Sequence, residues 1–184
     1  MSVKKQRDPR DTPAMRQYAC FKKEHPESIL FFRMGDFYEM FDKDAHTVHE
    51  ELGLALTSRS GNIPMAGIPH HASENYIKQL IEKGYRIALC EQLEEASESK
   101  NIVKRGVVQV LTPGTLIDEN LLKDDQPNIL ASYYEHEKES WISTIELTTG
   151  NFNIINCDKK TIKDVLARTG ICELLVNEKN YFFE

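Results

Sequence analysis

Hydrophobic residues along the first 115 positions follow alternating helical and strand periodicities. Between 13 and 24 they recur at helical spacing, with Thr12-Pro13 typical of a helix start and His25-Pro26 of a helix end. Short apolar runs indicate buried strands instead, because strands are usually only about 4 to 8 residues long. In chain order the pattern predicts a helix over 13–24, strands over 29–34 and 37–41, a helix over 42–52, a strand-like segment over 54–57, a loop over 58–64, an extended passage over 66–69, a helix over 73–83 capped by Ser73, and strands over 86–92 and 103–112.

The last third of the chain has a pattern of its own. Turn-forming residues at 137–140 and 149–151 separate three strand-like runs, and a helical segment and one more strand follow them. This order is that of the first half of an RNase H-like α/β domain. We predict strands over 129–136, 141–148 and 151–156, a helix over 158–169 and a strand over 173–177.

Together these patterns predict a chain of the α/β (α+β) class with two domains. The charged residues 1–12 lack periodicity and are predicted to be a flexible tail, and the acidic stretch 116–127 is predicted to be a linker. Between them, residues 13–115 are predicted to form a mixed sheet with flanking helices. Residues 128–184 are predicted to form a partial, RNase H-like second domain.

Composition places the chain among ordinary globular proteins. It is 40% hydrophobic and 28% charged, and no apolar run approaches the roughly 18 to 20 residues that cross a bilayer. The first 13 residues are polar and do not resemble a signal peptide. Its four cysteines are scattered, which argues against a zinc site or a disulfide framework. We therefore expect a reduced, cytoplasmic protein with no membrane partner.

Charge is distributed unevenly along the chain. Residues 1–115 hold 16 basic and 16 acidic side chains, whereas residues 116–184 hold 7 basic and 13 acidic ones, so the net charge of −6 belongs to the last third. A neutral domain does not hold DNA tightly through counterion release alone, because that effect needs many phosphate contacts. If the first domain binds DNA, much of the affinity must come from elsewhere.

The segment from Gly35 to Phe41 is the most informative candidate for chemistry. Strand alternation places Phe37, Glu39 and Phe41 on one face, and an unpaired carboxylate between two phenylalanines is costly to bury. One interpretation is structural: Phe41 packs inside, while Phe37 and Glu39 lie at an exposed strand end. The other is functional: an aromatic wedge beside an acceptor can enter a base stack from the minor groove and select weakened base pairs.

Other reactive side chains give weaker signals. His70 and His71 are adjacent, so they point apart on a strand and make a poor metal pair, and no metal site is predicted. Cys90 ends an apolar run and is more typical of a small core residue than of a nucleophile, although an enzyme using it stays an open alternative. The sequence contains no G-x-x-x-x-G-K-[ST] phosphate-binding loop.

Four blocks of sequence resemble the bacterial MutS mismatch-repair proteins. They occur in the family order with family-like spacing, and the resemblance covers residues 10–122 well and 128–184 more weakly. The four blocks are Ile29 to Phe41 (ILFFRMGDFYEMF), Ile63 to His71 (IPMAGIPHH), Cys90-Glu91-Gln92, and Val107 to Leu116 with its Thr112-Pro113-Gly114-Thr115.

The resemblance implies a mismatch-recognition domain followed by the start of a connector domain. It implies that Phe37 is the stacking wedge and Glu39 the base-contacting carboxylate. Asp36 and Met65 would line the same minor-groove site, and basic residues would touch the phosphates. The basic residues that the resemblance expects to contact the phosphates are Arg59 and Arg105.

The resemblance also implies partners and cofactors. The expected partners are duplex DNA with mismatches or small loops, a second copy of the full-length chain, and a downstream mismatch-repair protein. ATP and Mg²⁺ would be used by an ATPase domain that this chain lacks, so the chain itself is expected to need no cofactor and to catalyse nothing. An alternative function is a docking module, in which the second domain binds the downstream repair protein.

Overall fold

The computed structural model describes residues 8–59, 62–94, 102–118, 120–122, 127–137 and 139–177. The chain divides into two compact units, Met1–Leu111 and Thr112–Glu184. Among the described residues, no helix is long and apolar enough to cross a membrane.

The first unit is built on a six-stranded mixed sheet. Its strands lie in the order β3-β4-β2-β1-β5-β6, and only the β1–β5 pair is parallel. The elements are α1 (Pro13–Glu24), β1 (Ser28–Met34), β2 (Phe37–Phe41), α2 (Asp42–Leu52), β3 (Thr57–Arg59), β4 (Ile63–Pro69), a 3₁₀ turn (His70–Ala72), α3 (Ser73–Glu82), β5 (Arg86–Gln92) and β6 (Arg105–Leu111).

The core of this unit lies on both faces of the sheet. On one face, Leu30, Phe32 and Phe41 are buried beneath α1, whose Tyr18 ring meets Phe41 edge-on with the ring centroids 4.9 Å apart. The alternate strand residues are buried on the other face, where α2 and α3 pack on the strands. The central strands are therefore covered on both sides, as their continuous apolar sequence requires.

Local sequence explains where the main helices begin and end. The Thr12 hydroxyl accepts a hydrogen bond from the Met15 N–H at 3.3 Å, and Pro13 occupies the first position of α1. Gly53, with φ of 68°, ends α2 in the left-handed conformation that glycine adopts without strain. The predicted bounds of α1 and α2 are both confirmed.

Three sequence predictions in this unit are wrong in detail. Residues 54–56 are irregular, and the predicted loop over 58–64 instead holds the end of β3 and the start of β4. Ser73 does not cap α3: it is the first helical residue, and its hydroxyl donates to the His70 carbonyl at 2.7 Å. Backbone pairing of Ser58 with Pro64 and of Arg59 with Ile63 extends the sheet where composition alone indicates a loop.

The predicted flexible tail is anchored in its described part. Residues 1–7 lie outside the described residues. Arg10, however, donates two hydrogen bonds to the Asp42 carboxylate, at 2.8 and 2.7 Å. Contact with the folded unit thus begins at least two residues before the Thr12 cap.

The second unit is a four-stranded sheet with one helix. Its strands lie in the order β10-β7-β8-β9, with β10 parallel to β7 and the other pairs antiparallel. Ile162 of the helix packs on Ala131, Tyr133 and Ile142. The predicted succession of three strands, a helix and a strand is confirmed, although the helix begins four residues later than predicted. The elements are β7 (Ile129–His136), β8 (Glu139–Glu146), β9 (Asn151–Cys157), α4 (Ile162–Thr169) and β10 (Ile171–Leu175).

Residues at the start of the second unit are fixed by Glu173 of β10. Its carboxylate accepts hydrogen bonds from the Gly114 N–H, at 3.0 Å, and from the Thr112 hydroxyl. Leu116 and Leu121, which lie in the predicted linker over 116–127, are buried. The Thr-Pro-Gly-Thr motif is therefore a structural feature of this unit.

Candidate nucleic-acid interface

Phe37 is presented at the start of a central strand. Gly35, with φ of 60°, and Asp36 form the turn that pairs Met34 with Phe37. Strand β2 is held on both sides, by β1 and by β4. The Phe37 side chain is nevertheless 47% exposed, whereas Phe41 at the other end of the strand is 1% exposed. The aromatic ring therefore projects from an anchored backbone.

The reverse side of this strand is also fixed. The Asp36 carbonyl accepts a hydrogen bond from the His70 N–H at 2.8 Å, and Asp36 itself is exposed at the turn. Tyr38 is buried, its hydroxyl donates to the Glu91 carboxylate of β5, and its ring lies 5.3 Å from that of His70. These contacts leave the Phe37 backbone little freedom to shift.

Glu39 lies on the same face as Phe37, opposite Gly67 of β4. Because Gly67 has no side chain, space remains there: a Cβ at this position would lie 3.9 Å from Phe37 Cδ1 and 4.0 Å from Glu39 Cγ. Burial raises the pKa of the Glu39 carboxyl, and the nearby Arg59 and Arg105 offset part of that rise. Sequence reasoning missed Gly67, although an isolated glycine in a strand commonly marks a close approach.

Met65 and Arg59 complete this face of the sheet. Met65 pairs with Phe41, is half-buried and packs against the core beneath α1. Arg59 places its guanidinium 5.8 Å from the Phe41 ring centroid and forms an ion pair with Glu39. It also lines an open groove of about 500 Å³ with Thr12, Pro13, Ala14 and Ile102.

Arg105 is placed differently from the other predicted site residues. Its guanidinium donates to the carbonyls of Arg33, at 2.7 Å, and Val103, at 3.1 Å, and to the Gln17 side chain at 3.2 Å. It also lies 5.0 Å from the Phe32 ring centroid. These contacts connect β6 to β1 and α1, so the structure gives Arg105 a role within the domain, and its phosphate contact stays a prediction.

The other reactive side chains are not brought together. His70 and His71 are exposed, and no group of three or more potential metal ligands occurs among the described residues. Cys90 is fully buried, and burial raises the pKa of its thiol to about 12. Such a thiol is protonated at neutral pH and is a poor nucleophile.

Comparison with known proteins decides the family. The sequence matches the MutS domain I family over residues 12–120, which is more than half of the chain. The chain belongs to the MutS domain I family. It is 44% identical over 177 residues to the DNA mismatch repair protein MutS of Alkaliphilus metalliredigens (strain QYMF). That match covers 94% of this chain and 20% of the relative, so the chain spans about a fifth of the length of this MutS protein.

Proposed function

We propose that this chain recognises mispaired and unpaired bases in duplex DNA during mismatch repair. Phe37 enters the base stack, and Glu39 contacts a base from the minor groove, with Asp36 and Met65 beside them. One observation carries the proposal: a half-exposed aromatic ring projects from a central strand whose opposite face is fully packed.

The selectivity of such a wedge follows from the cost of unstacking. Separating two stacked base pairs costs on the order of a few kcal/mol, and less where a mismatch has already weakened the stack. A rigid ring inserts at the same geometry in every duplex, so the difference in binding free energy reflects the DNA. The pairing of the Phe37 backbone with strands on both sides supports such a fixed geometry.

Glu39 adds a second element of selectivity. A carboxylate is repelled by DNA phosphates and gains only where it reaches a base donor or, when protonated, donates to a base acceptor. Burial raises the pKa of Glu39, which favours the protonated, donating form. An intact, stacked duplex leaves no opening through which Glu39 reaches such a partner, so Glu39 penalises intact duplex.

Most of the affinity must come from outside the wedge. Residues 1–115 carry no net charge, and Arg59 is the predicted phosphate-contacting residue that the structure places beside Glu39. We propose that further DNA contacts, dimerisation and the use of ATP and Mg²⁺ belong to other parts of the full-length protein. The recognition unit itself carries out no reaction in this proposal.

The test is fluorescence anisotropy of a duplex with one G·T mismatch and of its matched twin, with the full-length protein carrying this chain. Phe37→Ala is expected to remove the preference for the mismatch. Phe152→Ala is the matched control, because Phe152 is 58% exposed in the second unit and should leave the preference intact. If Phe37→Ala keeps the preference, Phe37 is structural and the wedge proposal fails.

A second candidate function is docking of a downstream mismatch-repair protein on the second unit. On β9, Phe152 and Ile154 are 58% and 65% exposed on the sheet face away from α4. The acidic charge of residues 116–184 favours a partner with a basic rim. Ile154→Asp is then expected to spare mismatch binding and to uncouple repair; unchanged repair would contradict this candidate.

A further inference from the structure

Glu39 and Arg59 form an ion pair that crosses an intervening strand. Glu39 is on β2 and Arg59 on β3, and these strands are separated by β4 in the sheet. The side chains of Glu39 and Arg59 are 18% and 35% exposed. Gly67, opposite Glu39, carries no side chain, and a Cβ there would lie 4.0 Å from Glu39 Cγ.

We propose that Arg59 is a positioning residue for Glu39: its guanidinium holds the carboxylate on the sheet face beside Phe37 and neutralises its charge before DNA arrives. This inference rests on the proposed function, in which Glu39 contacts the base. It assigns Arg59 a role exerted through Glu39, in addition to the phosphate contact expected from the family resemblance.

The planar shape of the guanidinium and its contact with a buried ring suit an arginine to this role. Its planar guanidinium rests near the Phe41 ring, with the centroid 5.8 Å away, and that ring is fixed in the core. An arginine so placed is pre-organised and presents a directional donor to a carboxylate. A lysine supplies the charge without the planar contact, so Arg59→Lys should retain only part of the effect of Arg59 on Glu39.

Among the residues that the structure describes, few other titratable groups face Glu39. Arg105 of β6 is the other cation that acts on its pKa. From the neighbouring elements, α1 contributes the Tyr18 hydroxyl and β5 the Cys90 thiol, and burial raises the pKa of both. The residues that β1 and β4 place on this face carry no titratable side chain. Burial is the largest influence on the pKa of Glu39, and Arg59 is the larger of the two cationic influences that oppose it.

Removing Arg59 should change the titration of Glu39 in a defined direction. Without its cation, desolvation is opposed only by Arg105, so the pKa of Glu39 rises. Glu39 is then protonated over a wider pH range. The pH at which any Glu39-dependent mismatch preference is half lost should move upward by the same amount.

The first experiment is a carbon-13 NMR titration of the Glu39 carboxyl in the 184-residue chain. Arg59→Gln is expected to raise the midpoint by about one pH unit, and Arg59→Lys by less. Arg10→Gln is the matched control, because Arg10 pairs with Asp42 instead, and should leave the midpoint unchanged. An unchanged midpoint in Arg59→Gln, with the fold intact by amide chemical shifts, overturns the inference.

The second experiment measures G·T preference against pH in the full-length protein carrying this chain. The profile of Arg59→Gln should shift upward by the displacement found for Glu39, and Glu39→Gln should remove the pH dependence. If Phe37→Ala abolishes the preference but Arg59→Gln leaves the profile in place, the positioning role is refuted and the wedge stands. If neither Phe37→Ala nor Glu39→Gln alters the preference, the proposed function fails and the positioning role fails with it.

Discussion

The backbone N–H of Leu30 donates a hydrogen bond to the carboxylate of Asp44 at 3.0 Å. The same buried carboxylate accepts from the Tyr18 hydroxyl at 3.3 Å and pairs with Lys22 at 2.8 Å. Asp44 is on α2, Leu30 on β1, and the other two on α1. One carboxylate thus joins the helix that covers the site face of the sheet to a helix that covers the opposite face.

Replacing Asp44 with Asn should destabilise the first unit by about 2 to 4 kcal/mol, because the charge that satisfies a buried backbone donor and a lysine is lost. Urea unfolding followed by far-ultraviolet circular dichroism measures the change. Glu50→Gln, on the exposed side of the same helix, is the control and should stay within about 0.5 kcal/mol. Equal effects of the two substitutions would contradict the role given to Asp44.

Substitution by alanine should destabilise the fold far more at Phe31 than at Phe37. Phe31 is fully buried, so Phe31→Ala is expected to cost about 3 to 5 kcal/mol through lost burial and a cavity. Phe37 is 47% exposed, so Phe37→Ala should cost about 1 kcal/mol or less. The same urea titration compares them, and a large loss for Phe37→Ala would place its ring in the core.

Arg105→Lys should destabilise the first unit by about 1 to 3 kcal/mol, because a lysine cannot reproduce donors to the Arg33 and Val103 carbonyls or the stacking on Phe32. The preserved charge makes the variant a test of geometry. Thermal unfolding compares it with Lys104→Arg, an exposed neighbour that should change little. A neutral result for Arg105→Lys would favour a phosphate-contacting role for this residue.

Gly114→Ala should destabilise the second unit by about 1 to 3 kcal/mol through overpacking. A Cβ at Gly114 would lie 2.8 Å from the Glu173 Cβ and 3.0 Å from Leu130 Cδ1. The fluorescence of Trp141, the single tryptophan, reports unfolding of this unit. Gly67→Ala, in the first unit, is the control for the substitution type, because its Cβ would meet no atom closer than 3.6 Å. Its stability is followed by far-ultraviolet circular dichroism, and similar losses at both positions would argue against the steric explanation.

The cysteines should differ in their reactivity with a thiol reagent such as DTNB. Cys20 and Cys172 are exposed and should react in the folded protein, whereas Cys90 should react only after unfolding. Burial raises the pKa of Cys90 to about 12. The stabilisation that comes from keeping the buried Cys90 thiol protonated is therefore complete below about pH 8.5, the usual thiol pKa. It is lost as the pH rises toward 12. Rapid labelling of Cys90 in the folded chain would show that β5 opens readily.

The elements that the sequence predicts best are those whose ends are specified by local signals. Helix α1 was predictable because its cap and its terminating proline are local, and the alternation along β2 placed Phe37 and Glu39 on one face. The Glu39–Arg59 pair was not predictable, because it depends on β4 lying between β2 and β3. Strand order arises from long-range pairing, and a single sequence does not reveal which strands become neighbours.

Under the proposed function, the position of Phe37 on a paired strand, instead of in a loop, affects the thermodynamics of recognition. Its backbone loses conformational freedom when the domain folds, so little further entropy is lost when DNA binds. The binding enthalpy and heat capacity should then report chiefly on the unstacked duplex and its displaced water. The proposal therefore implies that the domain compares one base step with the next during brief encounters, since it need not refold at each of them.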